Sequence, residues 1–201
     1  NLPFYKGHID CNIPDEKVKA VLVSKAEEYK VTLSETEIVR NALNNPISSV
    51  KLCELAKDKK HVVIISSDHT RPVPSHITMP LLLEEVRKYN KDVKITILIA
   101  TGMHRATTHE ELVAKYGQKI VDEENIVVHD AYIDSDMTFK GILPSGGELW
   151  VNKLVDEADL LISEGFIEPH FFAGFSGGRK SVLPGIASKK TVLWNHNAKF
   201  I

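Results

Sequence analysis

Apolar and polar positions along the chain fall into two alternating textures. Two continuous apolar runs, His61–Ser66 and Lys94–Ala100, are rich in β-branched residues, as in strands covered on both faces. A third strand is predicted at Asn125–His129 and a further buried one at Ala158–Ser163. Between them the period lengthens to that of helices: Ser75 to about Tyr89, with Ile77, Leu81, Leu82 and Val86 inward, and a helix ending at Tyr116. Thr107, three residues before Glu110, reads as the capping box that opens the latter. Helices are also predicted over 15–30, 34–44, 49–57, 151–157 and 188–200, the second stopped by Asn44, Asn45 and Pro46. Residues 1–13 alternate weakly as an edge strand or hairpin, and Pro144, Ser145, Gly146 and Gly147 mark a hairpin within 138–151.

Strand, loop and helix in repeated succession predict an α/β fold, a doubly wound, mostly parallel sheet with helices on both faces. It is Rossmann-like, with a small N-terminal β extension. In such sheets ligands gather beyond the carboxyl ends of the strands. Three polar loops fall there, 67–74, 101–105 and 164–180. They bring together Asp68, Arg71, His104, His170 and Lys180, with His196 shortly after. Taken singly, each has a plain alternative: Asp68 as a helix cap, Arg71 as a solvated cation, the histidines as satisfied loop or surface residues. His8, His61, His69, His76, His109 and His129 keep that plain reading.

The densest stretch is Ser163 to Ser181. Gly174, Gly177 and Gly178, with Ser176 among them, permit a turn whose N–H groups converge on an anion. Arg179 and Lys180 add positive charge and an amine that can act as a nucleophile. This is not the P-loop of nucleoside triphosphatases: counted from Gly174, the second glycine of that motif should stand at 179, which is Arg.

Composition narrows the setting. The 201 residues suffice for one good-sized α/β domain, and 43% hydrophobic with 26% charged residues is ordinary for a soluble protein. A net charge of −2 gives no general attraction to nucleic acid or an anionic membrane. No apolar run reaches membrane-spanning length and the first residues lack a signal-peptide pattern. Cys11 and Cys53 have no CxxC spacing, as for free thiols in a reducing compartment. A cytoplasmic location is expected.

The segments SSDHTRPVPS (66–75), TGMHR (101–105), EPHFFAGFSGGRKSVLPGIAS (168–188) and WNHNAKF (194–200) closely resemble the nickel-pincer-nucleotide-dependent lactate racemase family. The resemblance covers most of the chain and matches the family's N-terminal, cofactor-carrying domain. It makes 1–201 a single domain of that type, with the family's C-terminal domain beyond this chain. It implies a racemase or epimerase of a 2-hydroxy acid, lactate foremost, acting by hydride transfer to and from a covalently bound cofactor. That cofactor is a pyridinium mononucleotide whose two sulfur-bearing arms hold nickel.

The resemblance further implies that Lys180 bonds to one arm and that His196 supplies the remaining nickel ligand. His104 and His170 serve as opposed acid/base groups, and Arg71 clamps the substrate. Asp68 and Thr70 lie at the cofactor, and Gly174, Ser176, Gly177 and Gly178 cradle its phosphate. For Asp68 three duties stay open: orienting Arg71, a histidine, or the cofactor's ribose. The implied partners are a small 2-hydroxy acid and cofactor-maturation proteins, with neither nucleic acid nor membrane. Two other functions compete, a non-catalytic nickel- or nucleotide-binding module and a nucleotide-dependent phosphotransferase. The isolated chain is expected to fold, to present His104, His170 and Lys180 on a solvent-open face, and to racemise poorly.

Overall fold

The computed structural model describes residues 1–170 and 173–200. Its contacts divide the chain into two compact units, Asn1–Ser34 and Glu35–Ile201. The first unit carries an antiparallel hairpin of β1 (Leu2–Phe4) and β2 (Gly7–Ile9). The helix expected over 15–30 is not formed; only single turns occur, at Asp15–Lys17 and Lys25–Glu28. Val18, Val21, Leu22 and Val23 are all exposed, and no described residue of this unit is buried. β-branched residues without an apolar surface to cover do not sustain a helix.

The second unit opens with α1 (Glu35–Asn44) and α2 (Leu52–Ala56). Then come β3 (His61–Ser67), α3 (Ser75–Arg87), β4 (Lys94–Ala100), α4 (His109–Tyr116), α5 (Gln118–Glu123) and β5 (Asn125–Val128). A hairpin of β6 (Met137–Ile142) and β7 (Glu148–Asn152) follows, with α6 (Leu154–Glu157), β8 (Leu160–Ser163), the small pair β9 (Pro169–His170) and β10 (Gly174–Phe175), and α7 (Lys189–Asn195).

Four strands form one parallel sheet in the order β5-β4-β3-β8. The two long apolar runs are its central strands, which is why they read as unbroken. Alternate residues serve opposite faces. Val62, Ile64, Ile95, Ile97 and Ile99 pack with Met79, Leu83 and Val86 of α3 and with Leu112, Tyr116 and Ile120 of α4 and α5. Val63, Ile65 and Leu98 pack the other way, onto Ile186, with Leu154 and Val155 of α6 beside them. That second face is thus closed partly by the irregular segment that follows Lys180, which ties the site's own loop to the core.

Two local expectations are corrected. α3 buries Met79, Leu81, Leu83 and Val86, while Ile77 and Leu82 are only half-buried. The capping box is one residue later than read: the Thr108 hydroxyl accepts from the Glu111 N–H at 3.3 Å and Glu111 Oε2 accepts from the Thr108 N–H at 2.8 Å. Tandem Thr107–Thr108 and Glu110–Glu111 satisfy the spacing in both registers, and the buried Thr107 instead lies 3.1 Å from His69 Nδ1.

The chain runs outward from β3 to β4 and β5, then returns to place β8 on the opposite side of β3. That reversal leaves a crevice above the C-terminal ends of β3 and β8, where such folds bind ligands. Among the described residues no helix is long and apolar enough to cross a membrane.

Candidate functional site

Loops after β3, β4 and β8 enclose a recess of about 280 Å³ at this crevice. Asp68 and Arg71 come from the first loop, Gly102 and His104 from the second, and His170, Ser176, Gly177 and Lys180 from the third. His196, at the C-terminal end of α7, completes the wall. Eight residues nominated by the sequence therefore converge. Thr70, Gly174 and Gly178 do not line the recess.

Asp68 is 2% exposed and uses both oxygens. Oδ1 accepts from the Thr70 backbone N–H at 3.1 Å and the Thr70 hydroxyl at 2.6 Å, an Asx turn that fixes the carboxylate. Oδ2 lies 2.6 Å from His104 Nδ1. Of the three duties left open for Asp68, orienting a histidine is the one this geometry meets. A carboxylate at Nδ1 holds the proton there and leaves Nε2 with its lone pair. The His104 side chain is 50% exposed, so the recess opens to solvent beside it.

Arg71 pairs loosely with Glu168, Nη1 to Oε1 at 3.5 Å. His170 sits in β9 opposite Gly174, and its Nδ1 accepts from the Ala173 N–H at 3.3 Å. Burial, then the positive charges of Lys180 and Arg71, push the His170 pKa below the usual histidine value. Burial likewise lowers the Lys180 pKa, with Arg71 adding to the effect and Glu168 opposing it. Lowering favours the uncharged amine, the nucleophilic form.

The glycine-rich turn is held by Ser176. Its hydroxyl donates to the Phe166 carbonyl at 2.6 Å and accepts from the Glu168 N–H at 3.0 Å. Gly177, at φ +75°, lies so close to the chain crossing over it that a Cβ would stand 3.0 Å from the Phe166 carbonyl oxygen. Glycine is thus required on two counts, conformation and space.

Sequence reasoning passed over Glu164 and Glu168. Glu164 is buried and accepts from Ser66 at 2.5 Å, from Ser75 at 3.0 Å and from Thr78, while Tyr116 donates to Ser66 at 2.7 Å. This network pins the start of α3 to the ends of β3 and β8 and so braces the loop bearing Asp68 and Arg71. The available signal was an acidic residue directly after a buried strand, which calls for partners.

A parallel sheet whose loops gather an oriented histidine, a second histidine, an amine of lowered basicity and a glycine-rich turn around one recess defines an α/β domain of the doubly wound kind. A family model described as the lactate racemase N-terminal domain matches residues 4–201, and the chain belongs to that family. It is 57% identical over 200 residues to a lactate racemase of Thermoanaerobacterium thermosaccharolyticum and 59% identical over 201 residues to one of Lactiplantibacillus plantarum. Each comparison takes in 100% of this chain and 47% of the relative, so the chain spans about half the length of the curated relatives it matches. The lactate racemase apoprotein structure from T. thermosaccharolyticum superposes with a TM-score of 0.90 at 55% identity, covering 98% of this chain and 46% of that one. A crystal structure of a Thermotoga maritima protein is similar at a TM-score of 0.61 and 25% identity, covering 78% of this chain and 39% of that one.

The residues present fit the cofactor that the resemblance implies. Among the described residues there is no cluster of three or more His, Cys, Asp or Glu side chains able to hold a metal ion. Lys180 and His196 line one recess, as an attachment point and a single nitrogen ligand would have to.

Proposed function

We propose that this domain carries a covalently attached nickel-pincer nucleotide and serves the racemisation of a small 2-hydroxy acid, with lactate as the leading substrate. The observation that supports this most is the convergence of Asp68, His104, His170, Lys180 and His196 on the recess above the crevice. Lys180 is the attachment point and His196 a nickel ligand. The turn at Ser176 and Gly177 lies against the nucleotide's phosphate, with N–H groups rather than a P-loop lysine as its anchors, and Gly174 and Gly178, set back from the recess, shape that turn. Thr70 acts through Asp68, whose carboxylate it fixes. Loading depends on cofactor-maturation proteins as partners.

The chemistry follows from the acidity of the substrate. The Cα–H of a 2-hydroxy acid is a poor acid, so stereochemical inversion by proton abstraction is difficult. When bound, the cofactor would supply a hydride acceptor, so that the hydrogen could leave C2 as hydride and come back to the opposite face of the 2-keto acid. The protein's part is the proton. His104, with Asp68 holding Nδ1–H, presents Nε2 to the hydroxyl of one enantiomer, and His170 serves the other from across the crevice. Arg71 offers a planar fork to the carboxylate, and its 3.5 Å contact with Glu168 is loose enough to be exchanged for substrate.

The test is expression of this domain within a two-domain protein of its relatives' length, with and without the maturation proteins, followed by peptide mass, nickel content and lactate interconversion. A cofactor-sized mass on the Lys180 peptide with nickel and turnover is expected only in the first case. Nickel-loaded, active protein with an unmodified Lys180 would overturn the assignment. Cofactor and nickel without turnover would instead favour a binding module.

A further inference from the structure

A second recess lies on the far side of Arg71. It is about 290 Å³ and is lined by His69, Arg71, Val73 and His76 of the β3–α3 segment and by Glu111, Ala114 and Lys115 of α4. Its polar lining is weighted toward cations. Lys115 has no hydrogen bond or ion pair to any described residue; its ammonium only stands 5.8 Å from the Tyr116 ring centre. Burial lowers its pKa, with the Glu164 and Asp68 charges opposing this only in part. Glu111 is the one acidic lining residue, and it is already engaged. Arg105 donates to both of its oxygens, at 2.5 and 2.9 Å, and the Thr108 N–H donates at 2.8 Å. These contacts, the Arg105 guanidinium first, hold its pKa down at about 2. His69 is 3.7 Å from the same carboxylate, with its Nδ1 also 3.1 Å from the Thr107 hydroxyl.

We propose that this recess is a binding site for a small oxyanion, a carboxylate or a phosphate, held between Lys115 and Arg71 with His69 and His76 at its edge. A half-buried ammonium with no carboxylate in direct contact, beside a weakly paired guanidinium, is short of the close counter-charge that such groups usually have. An oxyanion supplies it and accepts the fork of Arg71. Because Arg71 lines both recesses, an anion here competes with Glu168 and with the first recess for the same guanidinium. The site is therefore placed to modulate the first one. None of this depends on the racemase reading, since it rests on the charges and lining of the second recess.

Inorganic phosphate and acetate, titrated separately into the purified protein by calorimetry, distinguish the two sources of oxyanion. Tungstate, located by anomalous diffraction, reports the position. The tungstate peak is expected within hydrogen-bond reach of Lys115 Nζ. Lys115→Gln should weaken the better anion at least about tenfold, and Lys115→Arg should restore it, as expected for a charge-assisted contact. Lys180→Gln should leave this affinity within about twofold, because that lysine lines the other recess. A peak only at the Gly177–Lys180 turn, an unaffected Lys115→Gln, or no binding of either anion would each overturn the proposal.

Discussion

Replacing Asp68 by Asn isolates the orientation of His104 with almost no change of shape. Both Thr70 donors, the N–H at 3.1 Å and the hydroxyl at 2.6 Å, point at Oδ1, so the amide oxygen of Asn must occupy that place. Its NH₂ group then replaces Oδ2, 2.6 Å from His104 Nδ1. A donor facing a ring N–H is repulsive, so Nδ1 must surrender its proton and Nε2 must take it. The nitrogen proposed as base is blocked. Loss of a hydrogen bond to a charged group alone is about 1.5–3 kcal/mol, or about tenfold to 150-fold in rate. Wrong-tautomer loss at a carboxylate-oriented catalytic histidine reaches about 10⁴-fold in the serine-protease triad. We therefore expect a fall of about 10²- to 10⁴-fold in lactate interconversion for Asp68→Asn in a cofactor-loaded two-domain protein containing this domain, with the fold retained. Nitrogen-15 NMR of the imidazole should show the proton moving from Nδ1 to Nε2. An unmoved proton together with a rate within about threefold of the parent would refute the reasoning.

Four further outcomes are expected. His129 is 1% exposed, with Nε2 3.1 Å from the Ala187 carbonyl, and burial lowers its pKa; the fold favours its neutral form, so this stability is present above the unfolded value of about 6.5 and is lost as pH falls through it. Melting temperatures should fall from pH 7 to 5 with a slope reduced in His129→Gln, and equal slopes would refute the role. Gly177→Ala should destabilise by about 1–3 kcal/mol, more than Gly174→Ala, since both have positive φ but only Gly177 also meets neighbours; chemical denaturation giving equal losses would contradict this. Lys180, its amine lowered by burial, should be acetylated faster at pH 8 than Lys190, which pairs with Glu148; peptide mass spectrometry showing the reverse order would count against a nucleophilic Lys180. Glu164→Leu should cost about 3–5 kcal/mol by stranding Ser66, Ser75 and Thr78, and Glu164→Gln distinctly less, since hydroxyls can turn to accept; equal losses in denaturant melts would show that the network is not what counts.

The sheet was legible because its central strands are buried on both faces, leaving unbroken β-branched runs at His61–Ser67 and Lys94–Ala100. The recess was legible through a topological rule, since loops after parallel strands must meet at one edge. The helix over 15–30 failed because apolar spacing says nothing about whether a surface exists for it to cover. The capping box slipped by one residue because Thr107 and Thr108 both meet the spacing, and the choice rests on Thr107 meeting His69 across the fold. Asp68 could not be assigned a partner from sequence, because Thr70 is two residues away but His104 thirty-six, and the second contact exists only once the chain has folded. Phe171 and Phe172, within the motif most specific to the family, lie outside the described residues.

The most direct test of the proposed reaction follows a deuterium label. L-lactate carrying deuterium at C2 is offered in ordinary water to a cofactor-loaded two-domain protein that contains this domain, and the D-lactate formed is analysed by mass. Transfer as hydride to and from a shielded acceptor predicts D-lactate that keeps its deuterium at C2. D-lactate formed with solvent hydrogen at C2 would mean that the hydrogen leaves as a proton, and would contradict the account.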